Sequence, residues 1–175
     1  MNLLNNIIPS IKVFFYSLLN RDTKYPNYLI KFEEKIKKYF NSNFSLTFSN
    51  GTTAAASLIA ASGIKEGSVV LISKISFPSI ISILLYSRAT IIFLDVDRDL
   101  QIKIPDEKIL DKAEFSIITH AYGYPQKGDI IQAFKNRNIR IIEDFSHAQG
   151  AKIENKYAGT IDIGGFSTMQ GEKAI

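Results

Sequence analysis

Cysteine is absent from the 175 residues, and with it go disulfides, thiolate metal sites and a cysteine nucleophile. Only two histidines occur; neither stands in a carboxylate cluster, so the sequence offers no metal-ligand set. No uninterrupted apolar run is long enough to span a bilayer, and no basic leader with a small-residue cleavage site marks a signal peptide. The cytoplasm is the expected compartment. The 21 lysines and arginines are scattered among 17 acids rather than gathered into a basic stripe, which argues against a nucleic-acid partner. The net charge of +4 leaves room for an acidic ligand. With 46% apolar and 22% charged residues, the chain is composed like an ordinary soluble domain with one buried core.

Residues 1–27 form an N-terminal amphipathic segment. Leu3, Leu4, Ile7, Ile8, Ile11, Phe14, Phe15, Leu18 and Leu19 recur at helical spacing, interrupted by Pro9. Lacking a basic polar face, the segment is expected to pack on the body or on a partner subunit, without membrane contact. From residue 28 the pattern changes. A helix is expected over Tyr28–Phe40, then strands over Phe44–Phe48, Val69–Ser73, Ile91–Asp95, Phe115–Thr119, Ile139–Glu143 and Ile163–Ser167, rich in Ile, Val and Phe. Helices fit between them at Thr52–Ser62, Pro78–Tyr86, Pro105–Leu110 and Gly128–Arg137. That alternation implies an α/β fold, a three-layer domain around a largely parallel, mixed sheet. Ligands of such sheets sit beyond the carboxyl ends of the strands.

Three local patterns fall at those ends. Asn50-Gly51-Thr52-Thr53 leads into an Ala-rich helix, so free amides, the helix dipole and threonine hydroxyls could cradle a phosphate; the same residues could serve as a turn and helix cap. Asp144 closes the strand Ile139–Glu143, and could cap the next turn or pair with a protonated heterocyclic nitrogen. Gly164-Gly165-Phe166-Ser167 precedes Lys173, a lysine that could form an imine with a carbonyl cofactor.

In this order the sequence resembles the DegT/DnrJ/EryC1/StrS family of sugar aminotransferases, pyridoxal-phosphate enzymes of fold type I. The family's Ser-Gly-Thr-Ala-Ala loop is similar to Asn50-Gly51-Thr52-Thr53-Ala54, and its Pro-Ser-Tyr-Thr-Phe strand exit to Ser73-Lys74-Ile75-Ser76-Phe77. Phe93-Leu94-Asp95-Val96-Asp97, His120-Ala121-Tyr122-Gly123-Tyr124-Pro125 and Ile142-Glu143-Asp144-Phe145-Ser146-His147-Ala148 resemble further family segments. Ile161-Asp162-Ile163-Gly164-Gly165-Phe166-Ser167 resembles the approach to the family's lysine. The resemblance runs over residues 28–173.

The resemblance implies that residues 28–175 are the pyridoxal 5'-phosphate-binding large domain, truncated so that the small C-terminal domain and the Gly-Glu-Gly-Gly segment are absent. It further implies that Gly51, Thr52 and Ser167 bind the cofactor phosphate and that Phe77 stacks on the pyridine ring. Asp144 would pair with the ring nitrogen and His147 lie near the phenolic oxygen. Lys173 would hold the cofactor covalently and carry the proton of the 1,3-shift. Taken without the resemblance, Phe77 reads rather as ordinary core packing and His147 as a satisfied buried histidine. Phe145 and Ser146 stand where the family has a small pair.

The implied activity is transfer of an amino group from glutamate or glutamine to a nucleotide-linked keto sugar, for surface polysaccharide or related sugar synthesis, in a homodimer. The alternatives are a dehydratase using the same cofactor and a truncated, non-catalytic remnant that keeps the fold; these 175 residues alone are not expected to be an active aminotransferase.

Overall fold

The computed structural model describes residues 25–169; the amphipathic stripe Leu3–Leu19 and Lys173 lie outside them. Helix α1 (Tyr25–Phe40) and α2 (Gly51–Ser62) come first, followed by β1 (Val69–Ser73), α3 (Pro78–Tyr86), β2 (Thr90–Leu94), α4 (Glu107–Leu110) and β3 (Phe115–Thr119). The chain continues through α5 (Gly128–Lys135), β4 (Arg140–Asp144), β5 (Lys152–Ile153), β6 (Lys156–Tyr157) and β7 (Gly164–Phe166). Five strands form one sheet in the order β2-β1-β3-β4-β7, and every pairing in it is parallel. Antiparallel ladder pairing among the described strands is confined to the hairpin β5–β6.

Strand residues alternate between the faces of the sheet, and the core divides accordingly. Val70, Ile72, Ile117 and Ile142 pack with Ala55 and Ile59 of α2 and Ile80 and Leu84 of α3. Their neighbours Leu71, Ile118 and Ile141 pack on the opposite side with Leu110 of α4 and Ile130, Ile131 and Phe134 of α5. This is a three-layer α/β domain, with both sheet faces covered as a parallel sheet requires. Truncating Ile72, Ile117 or Ile142, all fully buried, to alanine would cost about 2–5 kcal/mol each.

Helix ends follow their sequence signals. Asn50 caps α2 in a reciprocal box with Thr53, and Gly63 ends it in the left-handed region at φ 90°, where a β-carbon would be strained. Pro78 opens α3, a position where its missing N–H costs nothing.

One expected strand is not formed. Residues 44–48 belong to no ladder among the described residues; Phe44 is 86% and Leu46 72% exposed. The segment is instead held through Glu33 of α1, which accepts both the amide and the hydroxyl of Thr47 at 2.7 Å. Apolar alternation favours an extended chain, but a strand also needs a neighbour for its backbone groups. The phosphate-loop sequence therefore enters α2 from an unpaired segment rather than from a strand.

Candidate functional site

The parallel strands all end at one side of the sheet, and the first turns of two helices gather there. At the start of α2, the Asn50 carboxamide accepts the Thr53 amide at 2.9 Å and the Thr53 hydroxyl accepts the Asn50 amide at 3.3 Å. The amides of Gly51 and Thr52 donate to no acceptor among the described residues. They are the orphan donors that every helix start leaves, and they sit where the macrodipole favours an anion. Thr52 Oγ1 donates to Ser79 Oγ of α3 at 3.2 Å, so the two helix starts are linked.

The exit of β7 lies against this turn. A β-carbon on Gly51 would come within 3.3 Å of Thr168 Cβ, so glycine permits the close approach. Gln149 Nε2 donates to Ser167 Oγ at 2.9 Å and also to the Thr168 carbonyl. Gly51, Thr52 and Ser167, expected together on a phosphate, are thus brought together.

Asp144 ends β4 one residue beyond Glu143. Because Ile142 faces α2 and α3 while Ile141 faces the other layer, the alternation turns Asp144 to the same face as α2 and α3. It is buried. Its Oδ1 accepts the Ser146 amide at 3.0 Å, which is the turn-capping role, while Oδ2 accepts nothing among the described residues. Beside it Thr119, its register partner in β3, shares a 2.7 Å hydrogen bond with Ser76 and so fixes the exit of β1 to the end of β3. One residue on from Ser76, Phe77 occupies the N-cap position of α3 and is 55% exposed. It is not a core residue.

His147 is half-buried rather than enclosed, and its ring lies 5.3 Å from that of Tyr122. Both line an open cleft of about 710 Å³ with Tyr39, Tyr124, Gln149 and Met169. Lys173 lies outside the described residues.

Sequence reasoning did not find Ser79, Gln149 or the buried group behind the site. There, His120 Nε2 meets Glu143 Oε2 at 3.0 Å, and the Glu143 carboxylate also accepts the amides of Gly159 at 2.9 Å and Ile161 at 2.7 Å. His120 Nδ1 accepts the Gln126 amide at 3.0 Å, so the ring proton is assigned to Nε2 and donated to Glu143. The available signal was His120 and Glu143 closing or nearly closing two adjacent Ile-rich strands. On the surface, the Lys74 ammonium hydrogen-bonded to Asp95 holds that carboxyl below its ordinary range.

The model of the DegT/DnrJ/EryC1/StrS aminotransferase family matches residues 20–175. The chain belongs to this family. Among curated relatives it is 36% identical over 154 residues to the GDP-perosamine synthase of Escherichia coli O157:H7, a match covering 85% of this chain and 42% of that protein. Two solved structures of GDP-4-keto-6-deoxymannose-3-dehydratase, each 26% identical, superpose well. One, a mutant with bound GDP-perosamine, has a TM-score of 0.73 and covers 81% of this chain and 39% of its own. The other, an E. coli enzyme with bound hydrated PLP, has a TM-score of 0.70 and covers 77% and 37%. The chain therefore spans about two fifths of the length of these relatives, and the α/β fold of the family's PLP-dependent members is the fold of residues 25–169.

Proposed function

We propose that this chain is the cofactor-binding part of a pyridoxal 5'-phosphate-dependent aminotransferase that acts on a nucleotide-linked keto sugar. The observation that carries the reading is the convergence of three features on one face of the sheet. These are the free amides at the start of α2, the exposed Phe77 ring at the start of α3, and the unshared oxygen of Asp144.

These residues fit the cofactor. The Gly51 and Thr52 amides, the Thr52 hydroxyl and Ser167 supply neutral donors for a phosphate at a helix start. Phe77 offers an aromatic face to the pyridine ring. Asp144 Oδ2 is available to accept the hydrogen bond of a protonated ring nitrogen and keep the proton there. Once bound, the group supplies an electron-withdrawing ring that stabilises negative charge beside the substrate nitrogen. His147, which lines the open cleft with Tyr122 and Gln149, would orient the ring oxygen. Lys173 would tether the cofactor through its ε-amine and carry the proton between substrate carbon and cofactor.

The likeness to GDP-perosamine synthase and to the GDP-4-keto-6-deoxymannose dehydratase supports a GDP-linked 4-keto sugar as acceptor; the donor in this reading is an amino acid, glutamate or glutamine. Synthesis of a surface polysaccharide sugar, a homodimeric assembly and a cytoplasmic location complete the reading. The likeness to the dehydratase structures favours a second reading, loss of a sugar hydroxyl with the same cofactor. The full-length protein, loaded with pyridoxal phosphate and given glutamate and a GDP-linked 4-keto-6-deoxy sugar, tests both. Mass spectrometry reading replacement of the keto oxygen by an amino group supports the first; loss of a hydroxyl without nitrogen gain supports the second. Absence of any bound-cofactor absorbance overturns both. Borohydride fixation followed by peptide mapping should find the adduct on Lys173, and an adduct on Lys152 or Lys156 would overturn that assignment.

A further inference from the structure

We infer that the buried His120–Glu143 pair is a positioning device that locks the left-handed turn carrying Tyr122 against His147, and so sets the ring edge of the cofactor pocket from the opposite face of the sheet. The inference rests on the proposed function for the identity of the pocket, but not for the geometry of the turn. His120 and Glu143 are fully buried, and the carboxylate takes three N–H donors, all from loops: His120, Gly159 and Ile161. A buried carboxylate held by a neutral imidazole and two amides gives little net stability over apolar side chains of the same volume, and what it supplies is direction.

Here the direction is towards the turn. His120 bonds through Nε2 to Glu143 and through Nδ1 to the amide of Gln126, so its ring closes the base of the loop 120–126. The Gln126 carboxamide extends the clamp, accepting the Ile102 amide at 2.8 Å and donating to the carbonyls of Leu100 and Thr119 at 2.9 and 3.1 Å. Between these fixed ends the Tyr124 amide donates to the Ala121 carbonyl at 2.8 Å, and the two residues at the tip have positive φ, 51° at Tyr122 and 85° at Gly123. Glycine accepts that conformation freely, but tyrosine does so only when its surroundings impose it. The product is a Tyr122 side chain that is 66% exposed yet has its ring 5.3 Å from His147. His147 follows Asp144 by three residues, and Glu143 precedes Asp144 by one. The same stretch of chain thus carries the anchor of the turn and the side chain that the turn meets.

The test uses the full-length protein and two readouts. Without cofactor, amide hydrogen exchange is followed in Glu143→Gln, which keeps the volume but discards the charge. Exchange over 121–126 should accelerate about tenfold or more, while β1 and α3 exchange as in the wild type. With pyridoxal phosphate, the induced circular dichroism per bound cofactor should change. Should that variant fail to fold, His120→Asn, which retains an acceptor for the Gln126 amide but gives up Glu143, should give the same pattern. Unchanged exchange over 121–126, acceleration spread equally over β1 and α3, or a loosened turn with unaltered dichroism would each overturn the positioning role. Wild-type protein that takes up no cofactor would instead overturn the functional reading, a failure that the cofactor-free exchange result keeps separate.

Discussion

Thr52 Oγ1 donates to Ser79 Oγ across 3.2 Å, although 27 residues separate them. The bond joins the first turns of α2 and α3, and the single proton of the Thr52 hydroxyl would turn from Ser79 to an anion bound at the α2 start. In the full-length protein, Thr52→Val should weaken pyridoxal phosphate binding about 5- to 30-fold, the equivalent of one hydrogen bond to a charged group of about 1–2 kcal/mol. Ser79→Ala, which only frees the Thr52 hydroxyl, should weaken it less. A titration of the cofactor's absorbance measures both, and equal affinity in Thr52→Val would remove that hydroxyl from the phosphate site.

Asp144→Asn should fold normally, because Asn can still accept the Ser146 amide that Oδ1 takes now. Turnover should fall about a hundredfold or more, since a neutral amide cannot stabilise a proton on the ring nitrogen. Single-turnover kinetics with glutamate, measured beside cofactor affinity, separate this chemical loss from a binding loss. Wild-type turnover would show that the second oxygen has no such role.

Ser116 lies in β3 on the α4/α5 side of the core, and its hydroxyl is buried with no hydrogen-bond partner among the described residues. Ser116→Ala removes a polar atom that burial penalises. The expected gain is about 1 kcal/mol, seen as a higher denaturation midpoint with an unchanged denaturant slope. A loss of similar size would mean that the hydroxyl does find a partner.

Phe145 is accommodated by two glycines. A β-carbon on Gly159 would lie 2.4 Å from the Phe145 ring, and one on Gly165 would lie 2.8 Å from it. Gly159 also has φ of 93°. Gly159→Ala therefore combines backbone strain with overpacking, each about 1–3 kcal/mol. Adding Phe145→Leu should relieve only the second part, so a double-mutant cycle should show favourable coupling. Strict additivity would mean that the ring moves aside unaided.

The Thr47 hydroxyl and amide, both donated to Glu33, hold that carboxyl below its ordinary range. A lowered folded-state value favours the ionised form, so this contribution is fully present above the unfolded range of about pH 4 and is lost as the pH falls through the folded value. Acidification should release residues 43–48 before the sheet opens, seen as amide exchange, corrected for its intrinsic rate, that rises at Thr47 and not in β1. Glu33→Gln should abolish the difference between the two sites, and a pH-independent ratio would contradict the attachment.

The sheet was legible where burial on both faces leaves uninterrupted Ile, Val and Phe. The bounds of β1 and β3 coincide with their apolar runs, β2 and β4 shift by one residue, and β7 is shorter by one residue at each end. The unpaired segment 44–48 was not legible, because its sequence carries the preference for extended chain but no information about a neighbour. In the site, Asn50–Thr53 and Asp144 could be read because their patterns are local. Gln149 with Ser167 and His120 with Glu143 are pairs separated by 18 and 23 residues. Their partnership exists only once the strands are side by side. The β5–β6 hairpin escaped as well, since two residues a side are too few for a period.

The two adjacent carboxylates of β4 make this strand unforgiving of changes in length. With the start of the strand held, one deleted codon upstream within β4 would place Asp144 where Glu143 now meets His120 and the 159–161 backbone, and one inserted codon would place Glu143 where Asp144 now ends the strand. After a deletion the shorter side chain would strand the amides of Gly159 and Ile161, and after an insertion the longer one would overshoot the ring proposed to lie beyond Asp144. Natural and laboratory length variation ought therefore to be absent from 140–144 and tolerated at the hairpin tip, where exposed Glu154 and Asn155 bear no part of this arrangement.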